Sequence, residues 1–213
     1  QASRAGWLVP VGLILLTLIP IVAGAARVTE LSGAPAITAD NARFVTSPIP
    51  VIVHIVGATL FSILGAFQFV PGLRRRNRWH RLAGRVLVPA GAAVALSGIW
   101  MAVISEHAPA DGVALSALRV IFASLMLAFI ALGVRSIIRR DFISHGAWMT
   151  RAYALAVAAG TQAIVLIPQT VIFGKYEETS RAVFMGAAWV INLAIAELVI
   201  RRRSTRRTVR SAS

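Results

Sequence analysis

Six stretches of this chain are apolar for about the length of a bilayer-crossing helix, and that repetition constrains the fold more than any single motif. A hydrocarbon core takes about 20 apolar residues as a helix. Runs of that kind extend from Trp7 to Ala26, Pro50 to Val70, Val86 to Ile104, Val113 to Ile138, Trp148 to Phe173 and Ala182 to Ile200. In lipid, every backbone polar group must be satisfied within its own segment, so such runs are helices. The reading is an all-α integral membrane protein, a single bundle of six transmembrane helices over residues 1–200. A basic tail over residues 201–213 follows, expected to be irregular. With 57% hydrophobic and only 14% charged residues, the chain cannot dress a soluble surface.

The first run has a positive residue before it and Ala23-Gly24-Ala25 after it, as a secretion signal would. Its apolar stretch is longer than a signal core, so it reads as a span. The longest connection, Arg27 to Ile49, holds Gly33, Pro35, Asp40-Asn41 and Pro48, which is turn chemistry with room for one short interfacial helix.

Charge sets the expected orientation. With the N-terminus inside, the inner side receives Arg4, six arginines of residues 74–85, Arg135, Arg139, Arg140, Arg151 and six arginines of the tail, 17 of the 22 basic residues. Six of the eight acids (Glu30, Asp40, Glu106, Asp111, Glu177 and Glu178) fall outside. The Lys/Arg bias governs topology, so both termini are expected in the cytoplasm. The net charge of +14 is thereby assigned to topology and anionic lipid, not to nucleic acid. The 21-to-1 excess of Arg over Lys hints at a GC-rich bacterial genome, and hence at a bacterial inner membrane.

The chain has no cysteine, which excludes disulfides, Fe–S clusters and thiolate metal sites. It has no phosphate-binding glycine loop, no HExxH and no serine elbow, so a hydrolytic enzyme is not indicated.

Two inner segments combine Arg, Trp and His: RRRNRWHRLAGRV around His80 and RRDFISHGAWMTRAY around His145. The histidines are expected at one depth, each just ahead of an outward-running helix. One reading is an interfacial belt, with Trp and His at headgroup level and Arg on lipid phosphate. The other is a cofactor site. Two imidazoles from two helices are what a six-coordinate haem b needs, with Arg81, Arg85 or Arg151 available for an anionic group. Haem is the one cofactor these residues suggest, and His80 and His145 are metal ligands only in that case.

Further along, His54, Arg119, Gln162 and Gln169 are expected at matching depth near the outer surface, as a polar pocket for a quinone headgroup or a proton. Arg151 and Glu197 are expected at matching depth near the inner surface, as an ion pair. Gly57, Gly65, Gly84, Gly91 and Gly98 read as close helix packing, and Pro89 and Pro168 as kinks. His107 reads as solvated in its loop.

The stretch FQFVPGLRRRNRWHRLAGRV carries a Q-x-x-P-x-L-R…H-R-x-x-G-R pattern, and HGAWMTRAYAL carries H-x-x-W-M-x-R. In this order and spacing, over roughly residues 50–200, they resemble the bacterial membrane-protein family called domain of unknown function 2306. The positions that match are His54, Gln68, Pro71, Arg74, His80, Arg81, Gly84, Arg85, His145, Trp148, Met149 and Arg151. The resemblance implies a membrane bundle and groups His80 with His145 in one arrangement. It implies no reaction.

Three functions of different class stay open on these grounds. The leading one is a non-catalytic subunit or assembly factor of a larger membrane complex, with other membrane subunits or further copies of itself as partners. The second is a haem-b, quinone-linked electron-transfer protein. The third is a small-molecule transporter resting on Arg151, Glu197 and the kinks.

Overall fold

The computed structural model describes residues 5–38, 41–74, 77–105, 111–174 and 177–211. The described residues form helices and no strands. In chain order the helices are α1 (Ala5–Ser32), α2 (Ala42–Val45), α3 (Pro48–Phe67), α4 (Pro71–Arg74), α5 (Asn77–Ile104), α6 (Val113–Ile138), α7 (Phe142–Ala156), α8 (Ala158–Phe173) and α9 (Glu178–Ser211). Five of them, α1, α3, α5, α6 and α9, are long and apolar enough to cross a membrane. The bent pair α7 and α8 makes a sixth if it counts as one span.

The apolar runs close their backbone hydrogen bonds as helices, the fifth in two pieces, and turn large side chains outward. Leu8, Leu15, Val56, Leu96, Val103, Ile121, Val190 and Leu198 are exposed, as they are when lipid is the solvent. The helices form a closed ring: α1 lies against α3 and α8, α3 against α5, α5 against α6, α6 against α9, and α9 against α8. α7 packs on α6, α9 and α3. It is buried all round at Ala152, Tyr153, Ala154 and Leu155, as a helix inside a bundle must be. Tyr153 stacks on Phe61 of α3 and donates its hydroxyl to the Ser62 carbonyl at 2.8 Å.

Several expectations change. The arginine-rich stretch at 74–85 is largely helix, because α5 starts at Asn77 and places His80 in its opening turns. The residues from Asn77 to Gly84 contain nothing that stops a helix, so it grows past the apolar boundary. For the same reason α9 runs on to Ser211 in place of an irregular tail: no Gly or Pro interrupts residues 201–211. The fifth run breaks not at Pro168 but at Val157, with a bend of 40°. The Gly160 N–H turns back to the Val157 carbonyl at 3.0 Å. A side chain on Gly160 would collide with the Leu16 carbonyl of α1. The bend thus carries α8 out of the bundle centre and onto α1. Pro89 lies inside an unbroken α5. The short α2 is the helix allowed for in the long first connection.

Of the five glycines read as packing positions, Gly57, Gly65 and Gly91 do that work. A Cβ on Gly91 would lie 2.6 Å from the Phe61 ring, one on Gly57 3.0 Å from Val94, and one on Gly65 within the Tyr153 ring. Gly84 meets nothing within 4 Å.

Candidate functional site

One end of the bundle, here the basic end, gathers the start of α5, the end of α6, the start of α7 and the arginines of α9. α6 and α7 join there through a three-residue link. Arg140 takes a left-handed backbone (φ 59°), the Arg140 N–H bonds the Ile137 carbonyl and the Asp141 N–H bonds the Ser136 carbonyl. This is a Schellman stop on α6. The Asp141 carboxylate then accepts the Ser144 N–H at 3.0 Å and starts α7. That bond to Ser144, in first place, holds the Asp141 carboxyl below its ordinary pKa.

The tight link fixes where His145 goes. Its Nδ1 lies 2.9 Å from the Gly133 carbonyl on α6. A carbonyl only accepts, so Nδ1 carries the proton and Nε2 keeps a lone pair. Gly133 is needed for this approach, because a Cβ there would be 2.8 Å from the Met149 sulfur. His80 of α5 stands beside it: the ring centroids are 6.5 Å apart and the ring planes cross at 89°. Both histidines are half-buried.

The rest of the H-x-x-W-M-x-R segment is committed to packing. Trp148 stacks on Phe129 of α6 with centroids 5.6 Å apart. Arg151 lies 4.6 Å over the Trp148 ring and pairs with both carboxylate oxygens of Glu197 on α9, at 2.5 and 2.9 Å. Arg151 is therefore occupied, and is not a spare cation for an anionic group. Arg81 and Arg85 are exposed on α5.

At the opposite end, His54, Arg119 and Gln162 line one cavity of about 360 Å³. Gln169 lies on α8, and its side chain is outside the described residues, as is His107. The His54 Nδ1 is 3.1 Å from both the Val94 carbonyl and the Ser97 hydroxyl of α5. The carbonyl again assigns the proton to Nδ1.

Above this cavity sits a cluster the sequence did not reveal. Asp111, just ahead of α6, has a fully buried side chain ringed by three arginines from three elements: Arg43 of α2 at 3.3 Å, Arg119 of α6 at 2.8 Å and Arg181 of α9 at 2.7 Å. Burial alone would raise the Asp111 carboxyl, but Arg119 and Arg181 outweigh it and hold the group below its ordinary 3.8. No spacing in the sequence links residues 43, 111 and 181. The one local signal is an Asp in a loop between two apolar runs.

The Q-x-x-P and H-R-x-x-G-R residues lie along the end of α3, α4 and the start of α5, and meet H-x-x-W-M-x-R through the two histidines. A family model described as predicted membrane protein (DUF2306) matches residues 51–200. The chain belongs to this DUF2306 family. No curated protein and no solved structure matches it. The matched span holds the histidine pair, the Arg151–Glu197 pair, His54 and Asp111 of this DUF2306 chain, and leaves out α1 and Arg43.

Proposed function

We propose that this DUF2306 chain is a six-span protein of a bacterial cytoplasmic membrane that holds a haem b between His80 and His145 and carries electrons. The basic end is its cytoplasmic face. That orientation is supported by the arginines gathered there, which also suit anionic headgroups.

The observation that carries the reading is the histidine pair. His80 and His145 would hold the group between them, one imidazole nitrogen from each. The rings here are 6.5 Å apart. His145 has the outer-shell feature of a ligand histidine, its Nδ1–H held by a backbone carbonyl. Among the described residues no group of three or more His, Asp or Glu could hold a metal ion, so a two-histidine cofactor fits better than a bare metal centre. Bound there, haem supplies one-electron transfer. The protein's part is to fix the two rings, through the Arg140–Asp141 link on one side and the first turns of α5 on the other.

The transporter reading loses its mobile charge, because Arg151 and Glu197 neutralise each other in a two-point pair. The test is an absorption spectrum of the purified protein, oxidised and dithionite-reduced, after growth with haem precursor. A Soret band with sharp reduced bands is expected, lost in His80→Ala and in His145→Ala while Arg85→Ala keeps them. A colourless protein that also ignores added haem overturns the reading. The accessory-subunit reading would then lead, to be checked by co-purification in mild detergent.

A further inference from the structure

We infer that the cavity at the Asp111 end is a binding site for a small amphiphile, a molecule with a carboxylate or phosphate head and an apolar tail. This does not depend on the haem reading. His80 and Gly98, which lines the cavity, are 18 positions apart on one helix, about 27 Å along its axis.

Charge and unmet hydrogen bonds select the head. Arg43 and Arg119 both line the cavity and are its only charged lining groups among the described residues. Asp111 does not face it: its side chain is wholly buried and its oxygens are engaged by arginines. Three arginines surround one carboxylate, and with the Glu178 carboxylate beside Gly112 counted the mouth still keeps a net charge of +1. Among the described residues, the Nε of Arg43 is buried without a partner, and so are the hydroxyls of Ser105 and Ser116. Ser116 is only 8% exposed and lines the cavity. Buried donors without acceptors are costly, and a group that only accepts would relieve all three. A carboxylate or a phosphate is such a group.

The walls select the tail. From Arg119 to Met126 the cavity descends α6 for seven residues, about 10 Å. Its deep lining includes Phe122, Met126, Leu155, Met185 and Trp189. Part-way down, His54 offers Nε2 as an acceptor, since Nδ1 is committed to Val94. The volume of about 360 Å³ is that of a small-ligand site. A positive mouth over a mainly apolar shaft, interrupted by His54 and Gln162, matches an anionic amphiphile better than it matches a neutral quinone or a bare anion.

Trp189 makes the site readable, because it lines the cavity and stacks on Phe122. The experiment follows quenching of tryptophan fluorescence by 11-bromoundecanoate, with the full chain in a neutral maltoside detergent. Saturable quenching is expected, with its main part missing in Trp189→Phe. Arg43→Gln should weaken it about tenfold. The neutral 11-bromoundecanol should bind at least tenfold more weakly than the acid to the unmodified chain, a comparison that stands even if Arg43→Gln does not fold. Laurate and dodecyl phosphate should both compete, and their ranking tells a fatty-acid head from a phospholipid-like one. Equal quenching by acid and alcohol overturns the proposal. So does competition by inorganic phosphate as strong as by dodecyl phosphate, or by a short-chain neutral quinone as strong as by laurate.

Discussion

The Nδ1 of His145 donates to the Gly133 carbonyl across the α6–α7 hairpin at 2.9 Å, and this leaves Nε2 as the nitrogen with a lone pair. The bond exists because Gly133 has no side chain. Any Cβ there would press on the Met149 sulfur at 2.8 Å and lift α7 away. Gly133→Ala should therefore cost about 1–3 kcal/mol, the usual range for overpacking. Thermal unfolding in detergent reads that cost. On the proposed haem reading the same variant should also broaden or shift the reduced bands, whereas Gly146→Ala, where a Cβ meets nothing within 4 Å, should leave both unchanged.

Arg151 and Glu197 should behave as a unit. Their contact is two-pointed and backed by the Trp148 ring. A double-mutant cycle with Arg151→Met and Glu197→Gln should give a coupling of about 1 kcal/mol or more in a lipid environment. An exposed surface pair would give less than that. A coupling near zero would mean that Glu197 snorkels to water and that the pair contributes little.

Asp111 ties α2, α6 and α9 together. Asp111→Asn leaves three arginines crowded without their counter-charge and should cost about 3 kcal/mol. The pH dependence follows from the depressed carboxyl. The folded state binds this proton less readily than the unfolded chain, so the stabilisation is present above the ordinary value of 3.8 and is lost as pH falls through the lower folded value. Acid unfolding of the native chain should show this loss below about pH 4, and Asp111→Asn should flatten it.

Gly65 and Gly84 make a paired control. Both belong to the same small-residue pattern. Gly65→Ala puts a methyl inside the Tyr153 ring, which is itself held by Phe61 and the Ser62 carbonyl. It should destabilise by about 3 kcal/mol or abolish folding. Gly84→Ala enters open space and should lie within about 0.5 kcal/mol of the parent. Yield and melting temperature in detergent separate the two.

Much of the arrangement was legible beforehand because the bilayer imposes a short menu. Six apolar runs announced helices. That His80 lies near His145, and Arg151 near Glu197, agrees with helices alternating in direction at 1.5 Å per residue. His54, Arg119 and Gln162 lining one cavity followed the same logic. Where the reading strayed, the cause was local. Helix ends depend on capping and stop signals, so α5 and α9 outran their apolar runs. Proline was given the bend of the fifth run, yet the break went to Val157, where α8 is drawn against α1 through Gly160.

The sequence by itself determined the class of protein and where most of its long helices lie, since periodicity and length are properties of one segment. Tertiary structure alone decided which groups at a given depth touch. It seated α7 in the bundle centre, set His145 against Gly133 and His80, and drew Arg43, Arg119 and Arg181 onto Asp111. Such choices turn on the rotation of each helix and on which neighbours close the ring. Those are fixed by the packing of all the helices at once, and no single stretch of sequence contains them.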